Sequence, residues 1–407
     1  MKRRQQLKIA VLCRHNLSRL ELGDSINTYD KIVALARKAA VILVIPRRYV
    51  SGDMYSMMRI VQISPPGILF ALALVPTLLL HMGDYDCVYS RDPLLMAFAV
   101  PMKIFGKLLA IELNGIPSIE TEIRRRTHRV RVPGLTSLIC GLIRLIETFA
   151  ITSADLVMPV TERMRTTLLR DYKADARKVV VVPNSVDTAL FRPLETERTV
   201  IRRKFGMERK TVVLYLSTFS ARWRGIGQLF HVADVLRRKR NDVAFLIVGS
   251  GPLLEEITAR SLRGDTCGGM VFAGSVKYHL VPLYMNAADV YAYDVAEVAN
   301  KLIQKQGLCP AKILQAMSCG TPVIGPRVPD LETILEDSGG GFCASSVEEV
   351  GTLMEKFADS EELVKSMGMN ARRYMEINHD LARLTGRKIE LMSKVFAKRR
   401  RRSPLKT

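Results

Sequence analysis

The chain has 407 residues, 48% hydrophobic and 25% charged; these are the proportions of an ordinary folded protein with length for about two to three domains, and they exclude extensive disorder. Its 61 basic and 40 acidic residues leave a formal charge of +21, which calls for a polyanionic partner: nucleic acid, an anionic membrane face, or phosphorylated substrates. Seven scattered cysteines without a C-x-x-C pair argue against a disulfide framework or zinc site and for a reduced, cytosolic setting.

The N-terminal MKRRQQLKIAVLC starts basic but continues with only a strand-length apolar run before Arg14 and His15, too short for a signal peptide. LKIAVLC (7–13), AVILVIP (40–46), DCVYS (86–90), LLAIEL (108–113) and ADLVMPV (154–160) are predicted as buried parallel strands separated by helix-length segments. Residues 60–83 carry no Asp, Glu, Lys or Arg. Their apolar heart, Gly67 to Leu80, is shorter than the ~20 residues that cross a bilayer and contains Pro76. A buried or interfacial helix is therefore expected rather than a span, with a re-entrant contact as the remaining alternative. EIRRRTHRVRVPGLTSLICGLIRLIETF (122–149) leads with Arg124, Arg125, Arg126, Arg129 and Arg131 into an apolar helix. It is either a core helix with a solvated lead-in or a contact with an anionic bilayer.

VVPNSVDTALFRP (181–193) is a turn-rich connection. It divides the chain into residues 1–186, completed by a C-terminal helix at 379–407, and residues 187–378. The second half repeats the strand rhythm in KTVVLYLS (210–217), VAFLIVG (243–249), MVFAG (270–274), DVYAY (289–293), TPVIG (321–325) and GGFCA (340–344). The expected class is α/β, with two doubly wound Rossmann-like domains facing a central cleft and ligands at the carboxyl ends of the strands. The final NHDLARLTGRKIELMSKVFAKRRRR (378–402) is an amphipathic helix with a basic end. Cations there suit the helix dipole, but five in a row exceed what capping requires, so membrane or nucleic-acid contact is the sharper reading.

Three segments of the second half carry the chemistry. YLSTFSARWRG (215–225) ends a strand and presents Arg222 and Arg224; these are surface arginines or a cradle for a diphosphate. VAFLIVGSGPLL (243–254) sets Gly249 and Gly251 between a strand and a helix, as a plain tight turn or as a close backbone approach to a ligand. CPAKILQAMSCGTPVIG (309–325) reads as a short helix with Pro310 in its first turn and Gly320 at its left-handed end. Ile313, Leu314 and Met317 form its apolar face, and Lys312 and Gln315 lie three apart on another. The polar pair is either solvated or, beside the helix N-terminus, suited to a phosphorylated ligand.

Taken together, in this order and spacing, these segments and the linker resemble the large family of nucleotide-sugar-dependent glycosyltransferases with the GT-B fold, known as group 1 or family 4. The resemblance is close over residues 150–378 and looser before, where YDCVYSRDPL (85–94) and LLAIELNGIPSIE (108–120) still fit. It implies retaining transfer from a nucleoside-diphosphate sugar, held by the C-terminal domain, to an acceptor held by the N-terminal domain. Carried over by position, Arg224 and Arg222 neutralise the leaving diphosphate and Lys312 contacts a phosphate or the donor sugar. Gln315 stands where the family usually has a ribose-gripping glutamate, and Asn114 where many members have a catalytic-site histidine. Gly23, Gly249, Gly251, Val276, Gly307 and Ala311 fall on the donor side, and Arg91 and Glu112 on the acceptor side.

The departures from the family are the paired glutamates, replaced by Gln315 and, eight residues earlier, by Gly307; Asp294 or Glu297 could substitute only with a different local loop. A glutamine amide still bonds ribose, at a loss of roughly 1 kcal/mol against a carboxylate. Loss of a nucleoside diphosphate asks mainly for stabilised negative charge, so no cofactor and no metal is expected. Asp84-Tyr85-Asp86 spells the metal-binding D-x-D of another glycosyltransferase fold, but at the start of a strand. The expected partners are the nucleotide sugar, a lipid-linked or saccharide acceptor and a peripheral anionic membrane surface, at the cytoplasmic face. Two alternatives remain: a catalytically impaired sugar-nucleotide-binding relative, and a nucleic-acid binder. The latter is disfavoured by a single Trp and 6% aromatic residues.

Overall fold

The computed structural model describes residues 7–18, 23–50, 52–64, 66–127, 133–219, 226–252, 254–255, 270–293 and 301–402. The chain forms two compact units, Met1–Pro183 with Leu381–Thr407, and Asn184–Asp380.

The first unit runs β1 (Lys8–Leu12), α1 (Gly23–Ala36), β2 (Ala40–Pro46), β3 (Arg59–Ile63), α2 (Ile68–Leu80), β4 (Cys87–Ser90), α3 (Pro93–Ala99), β5 (Leu108–Leu113), α4 (Pro117–Thr127), α5 (Pro133–Ser153), β6 (Leu156–Pro159) and α6 (Glu162–Asp171). Its sheet is parallel throughout, in the order β3-β2-β1-β4-β5-β6. Alternate residues of each strand feed opposite faces. In β5, Leu109, Ile111 and Leu113 pack with α2, α3 and α5, while Leu108 and Ala110 pack on the α1 side. Burial on both faces is why these strands read as unbroken apolar runs. Each fully buried Leu or Ile contributes about 1.5–3 kcal/mol.

The second unit runs α7 (Glu195–Lys204), β7 (Thr211–Ser217), α8 (Ile226–Lys239), β8 (Val243–Gly249), β9 (Met270–Gly274), α9 (Val281–Ala287), β10 (Val290–Ala292), α10 (Lys301–Gln306), α11 (Ala311–Ser318), β11 (Val323–Pro326), α12 (Leu331–Ser338), β12 (Gly341–Ala344), α13 (Val347–Ala358) and α14 (Glu361–Asn378). Its parallel sheet, β12-β11-β10-β7-β8-β9, repeats the strand order of the first. This is the doubly wound order, with its switch point between β7 and β10. Val212 and Leu214 face α9, α11 and α12; Val213 and Tyr215 face α8 and α13. The last helix, α15 (Leu381–Arg402), returns to the first unit, where Leu384 and Met392 pack with α1 on the β1–β2 side of the sheet.

Each predicted strand is present, and the sequence reading missed one. β3 lies partly inside the uncharged 60–83 segment, at the edge of the sheet, with Arg59 and Gln62 exposed on opposite faces. The rest of that segment, α2, is buried along Phe70, Leu74 and Leu78 and exposed along Leu69, Leu72 and Leu80.

Candidate functional site

In the second unit the polar features converge on the carboxyl end of β7. Pro310 is the N-cap of α11, in extended conformation (φ −73, ψ 133), one position earlier than the first-turn role expected for it. Cys319 closes the helix and Gly320 follows at φ +78, a left-handed step that glycine takes without a Cβ penalty. Ile313, Leu314 and Met317 are fully buried. Arg372 of α14 clamps the far end of the helix, donating to the carbonyls of Ser318 (2.9 Å) and Phe191 (2.7 Å).

Held this way, α11 swings Lys312 over β7, where its ammonium donates to the carbonyl of Leu216 at 3.2 Å. Gln315 Nε2 donates to Tyr278 Oη at 3.5 Å, just after the loop that follows β9, and Val276 of that loop packs on the same core. The Asn184 amide donates to the carbonyl of Cys309 (2.9 Å), fixing the approach to the helix. The Asn184 carbonyl in turn accepts from His379 Nδ1 (2.8 Å), and burial lowers the pKa of this histidine. The turn signals at 183–185 did not disclose this tether, because the partner lies 125 residues away. Tyr278 was missed for the same reason.

The two glycines after β8 have a reason internal to the fold. At Gly249 (φ +134) an added Cβ would lie 1.8 Å from the Ser217 carbonyl oxygen, and at Gly251 (φ +148) 2.5 Å from that of Thr218. The turn presses on the end of β7, and no side chain fits between. Gly307 (φ +68) follows α10, its N–H donating to the Ile303 carbonyl at 3.0 Å. A left-handed helix end explains glycine at this position, where a glutamate would be strained. Ala311 opens α11. Arg222 and Arg224, with Asp294 and Glu297, lie outside the described residues.

In the first unit Asn114 is exposed at the carboxyl end of β5, and Gly23 is the first residue of α1. Glu112, expected on the acceptor side, is buried beneath the sheet end. Its side chain projects to the α1–α15 face with 0% exposure, and both oxygens are engaged. Oε1 accepts from Lys31 Nζ (2.6 Å) and Arg91 Nε (3.2 Å), and Oε2 from Tyr89 Oη (2.6 Å) and Lys388 Nζ (2.5 Å). Arg91 also donates to Thr28 Oγ1 (2.7 Å), so it ties α1 to the sheet.

Burial pushes the Glu112 pKa up, but Lys31, Lys388 and Arg91 together more than reverse this and hold the carboxylate well below its ordinary range. Burial drives Lys31 well below the usual lysine value, helped by the Arg91 charge, and lowers Lys388 as well. Asp84 pairs with Arg59 at 2.8 Å and Asp86 accepts from the Lys8 N–H at 3.1 Å; both precede β4 at its amino end. Among the described residues no three His, Cys, Asp or Glu side chains are grouped to hold a metal ion.

Residues 210–360 match the family described as glycosyl transferases group 1. A GDP-mannose-dependent alpha-(1-6)-phosphatidylinositol monomannoside mannosyltransferase of Mycolicibacterium smegmatis is 27% identical over 214 residues, 52% of this chain and 55% of the relative. An alpha-D-kanosaminyltransferase of Streptomyces kanamyceticus is 24% identical, covering 55% and 56%. The chain thus spans about half the length of the curated relatives it matches. Among solved structures, Anabaena Alr3699/HepE in complex with UDP is similar at TM-score 0.74 and 16% identity, over 95% of this chain and 100% of that one. Sucrose-phosphate synthase from Thermosynechococcus elongatus gives 0.73 and 16%, over 97% and 100%. At such identities the likeness is one of fold.

Proposed function

We propose that this chain, whose residues 210–360 match the group 1 glycosyltransferases and whose fold is GT-B, moves a sugar from a nucleoside-diphosphate donor to an acceptor with retention of configuration. The observation that carries the reading is Lys312, held across the carboxyl end of β7 by a hydrogen bond to Leu216. In a doubly wound sheet this is where ligands bind, beside the switch point. An ammonium there, next to the N-terminus of α11, stabilises the negative charge that develops as a diphosphate departs.

The donor is assigned to the second unit. Lys312 meets its phosphates or sugar, Gln315 its ribose, and Gly249, Gly251, Val276, Gly307 and Ala311 shape the surroundings. Arg222 and Arg224 are assigned to the diphosphate from the sequence resemblance. The acceptor is assigned to the first unit, where Asn114, after the end of β5, is assigned to the catalytic site and Gly23, at the start of α1, to a close approach of the donor phosphates. A lipid-linked or cell-envelope glycoconjugate is the acceptor class, supported by the basic charge and by the phosphatidylinositol mannoside named for one relative. The transfer is read as metal-independent because fixed cations supply the charge that a divalent ion would otherwise provide.

The test is a thermal-shift screen across UDP-, GDP-, ADP- and dTDP-sugars, followed by transfer assays with the donor that binds. A ligand that binds only the folded state raises Tm. Lys312→Ala is expected to abolish most of the shift and to lower kcat/KM by about 10²–10³-fold. Absence of any donor-dependent shift overturns the assignment. Donor binding without turnover supports instead an impaired relative, the reading favoured by Gln315 and Gly307.

A further inference from the structure

On one side of the N-terminal sheet, α2 and α5 each carry an apolar stripe on the outer face as well as the inner one. From Ile68 to Leu80, α2 has no charged residue; opposite its buried stripe it exposes Leu69 (56%), Leu72 (59%) and Leu80 (84%). α5 repeats the pattern with Leu138 (70%), Leu142 (56%) and Leu145 (67%), spaced to share one helix face. The sole carboxylate of α5, Glu147, is buried and accepts from the Ser118 N–H. α3 packs against both helices, which places them on the same side of the sheet. The turn after α3 exposes Ile104 to 84%. Isolated exposed leucines are ordinary; two neighbouring helices with uncharged outer stripes are not.

Cations border this face. Arg399 near the end of α15 donates to the carbonyls of Lys103 (3.0 Å) and Lys107 (2.9 Å), the residues that bracket the Ile104 turn. The basic end of α15 is thereby fixed beside the apolar turn, with Arg400 and Arg401 exposed. Among the described residues no helix is long and apolar enough to cross a membrane.

We propose that this face, made by α2, the Ile104 turn, α5 and the end of α15, docks laterally on an anionic bilayer. The leucines seat at the acyl boundary and Arg400 and Arg401 meet headgroup phosphates. Charge complementarity selects this occupant over a second copy of the chain, because two copies meeting here would bring like-charged arginine edges together. The surface deepens the lipid-linked acceptor reading and rests on it for its purpose, but adsorption itself requires no turnover.

Flotation of the full chain with vesicles, in the absence of donor, tests the proposal. Binding is expected to equimolar phosphatidylglycerol and phosphatidylcholine, decreasing with salt, and to be far weaker to phosphatidylcholine alone. Leu138→Ser/Leu142→Ser/Leu145→Ser is expected to lower partitioning by about tenfold or more. Arg400→Ala/Arg401→Ala is expected to lower it by about fivefold per charge, on anionic vesicles only. Both variants should keep the wild-type Tm, since all five positions are exposed. The proposal is overturned if the wild type does not float, or if the leucine variant floats equally well. It is also overturned if the wild type forms a dimer that the leucine variant abolishes without any vesicle binding. Vesicle binding without sugar transfer keeps the surface and removes the glycosyltransferase reading; transfer without vesicle binding does the reverse.

Discussion

Lys388 and Glu112 are 276 positions apart in the chain and 2.5 Å apart in the fold, both nearly inaccessible to solvent. Through this pair the returning helix α15 is bonded to β5 of the N-terminal sheet. With Lys31 and Arg91 on the same carboxylate, one buried anion offsets three cations.

Glu112→Gln should therefore cost about 3–5 kcal/mol of stability at neutral pH, because it leaves buried cations without their counter-charge. The pH dependence separates this from a generic core lesion. Lys31 and Lys388 titrate below the ordinary lysine value in the folded protein. Between folded and unfolded values the unfolded chain holds more protons, so stability rises with pH there. Removing the carboxylate depresses both lysines further and widens that window downward, so the deficit of the variant should shrink as pH rises towards the lowered lysine values of the wild type and stay level above them. On the acid side, the wild type loses the Glu112 contribution as pH falls below the carboxylate's unfolded value and through its lowered folded one; the variant has no such loss. Urea unfolding at several pH values measures both limbs, and an equal deficit at every pH would count against the charge account.

Gly249→Ala should destabilise the second unit by about 3 kcal/mol or more, combining strain at φ +134 with a Cβ 1.8 Å from the Ser217 oxygen. Gly52→Ala is the control, since nothing lies within 4 Å of an added Cβ there. Thermal unfolding reads the difference. Equal Tm values would mean that the turn after β8 is not packed on the end of β7.

Gln315→Glu should tighten the nucleotide donor by about 1 kcal/mol, roughly fivefold, if this side chain meets the ribose hydroxyls. The carboxylate would accept from Tyr278 in place of the present amide donation. Calorimetric titration with the donor found by the thermal screen checks this. Weaker binding by the variant would place the ribose elsewhere.

The strands and their order of appearance were legible because burial on both sheet faces demands apolar runs, and these stand out against helical periodicity. Val212 to Leu216 and Leu108 to Leu113 needed only local pattern. β3 was hidden because an edge strand carries polar residues, here Arg59 and Gln62, and this one adjoins an uncharged helix. The helix opened by Pro310 and closed by Gly320 was legible to within one residue, since capping is local chemistry. The resemblance read from the sequence put Glu112 on the acceptor side. Only the fold, by alternating strand residues across the sheet and returning α15 from the far end of the chain, decided that it faces inward onto Lys31 and Lys388. Likewise the sequence marked α2 and α5 as apolar. Which of their faces remain open to solvent, and that the arginines of α15 border them, follows from long-range packing that no local pattern encodes.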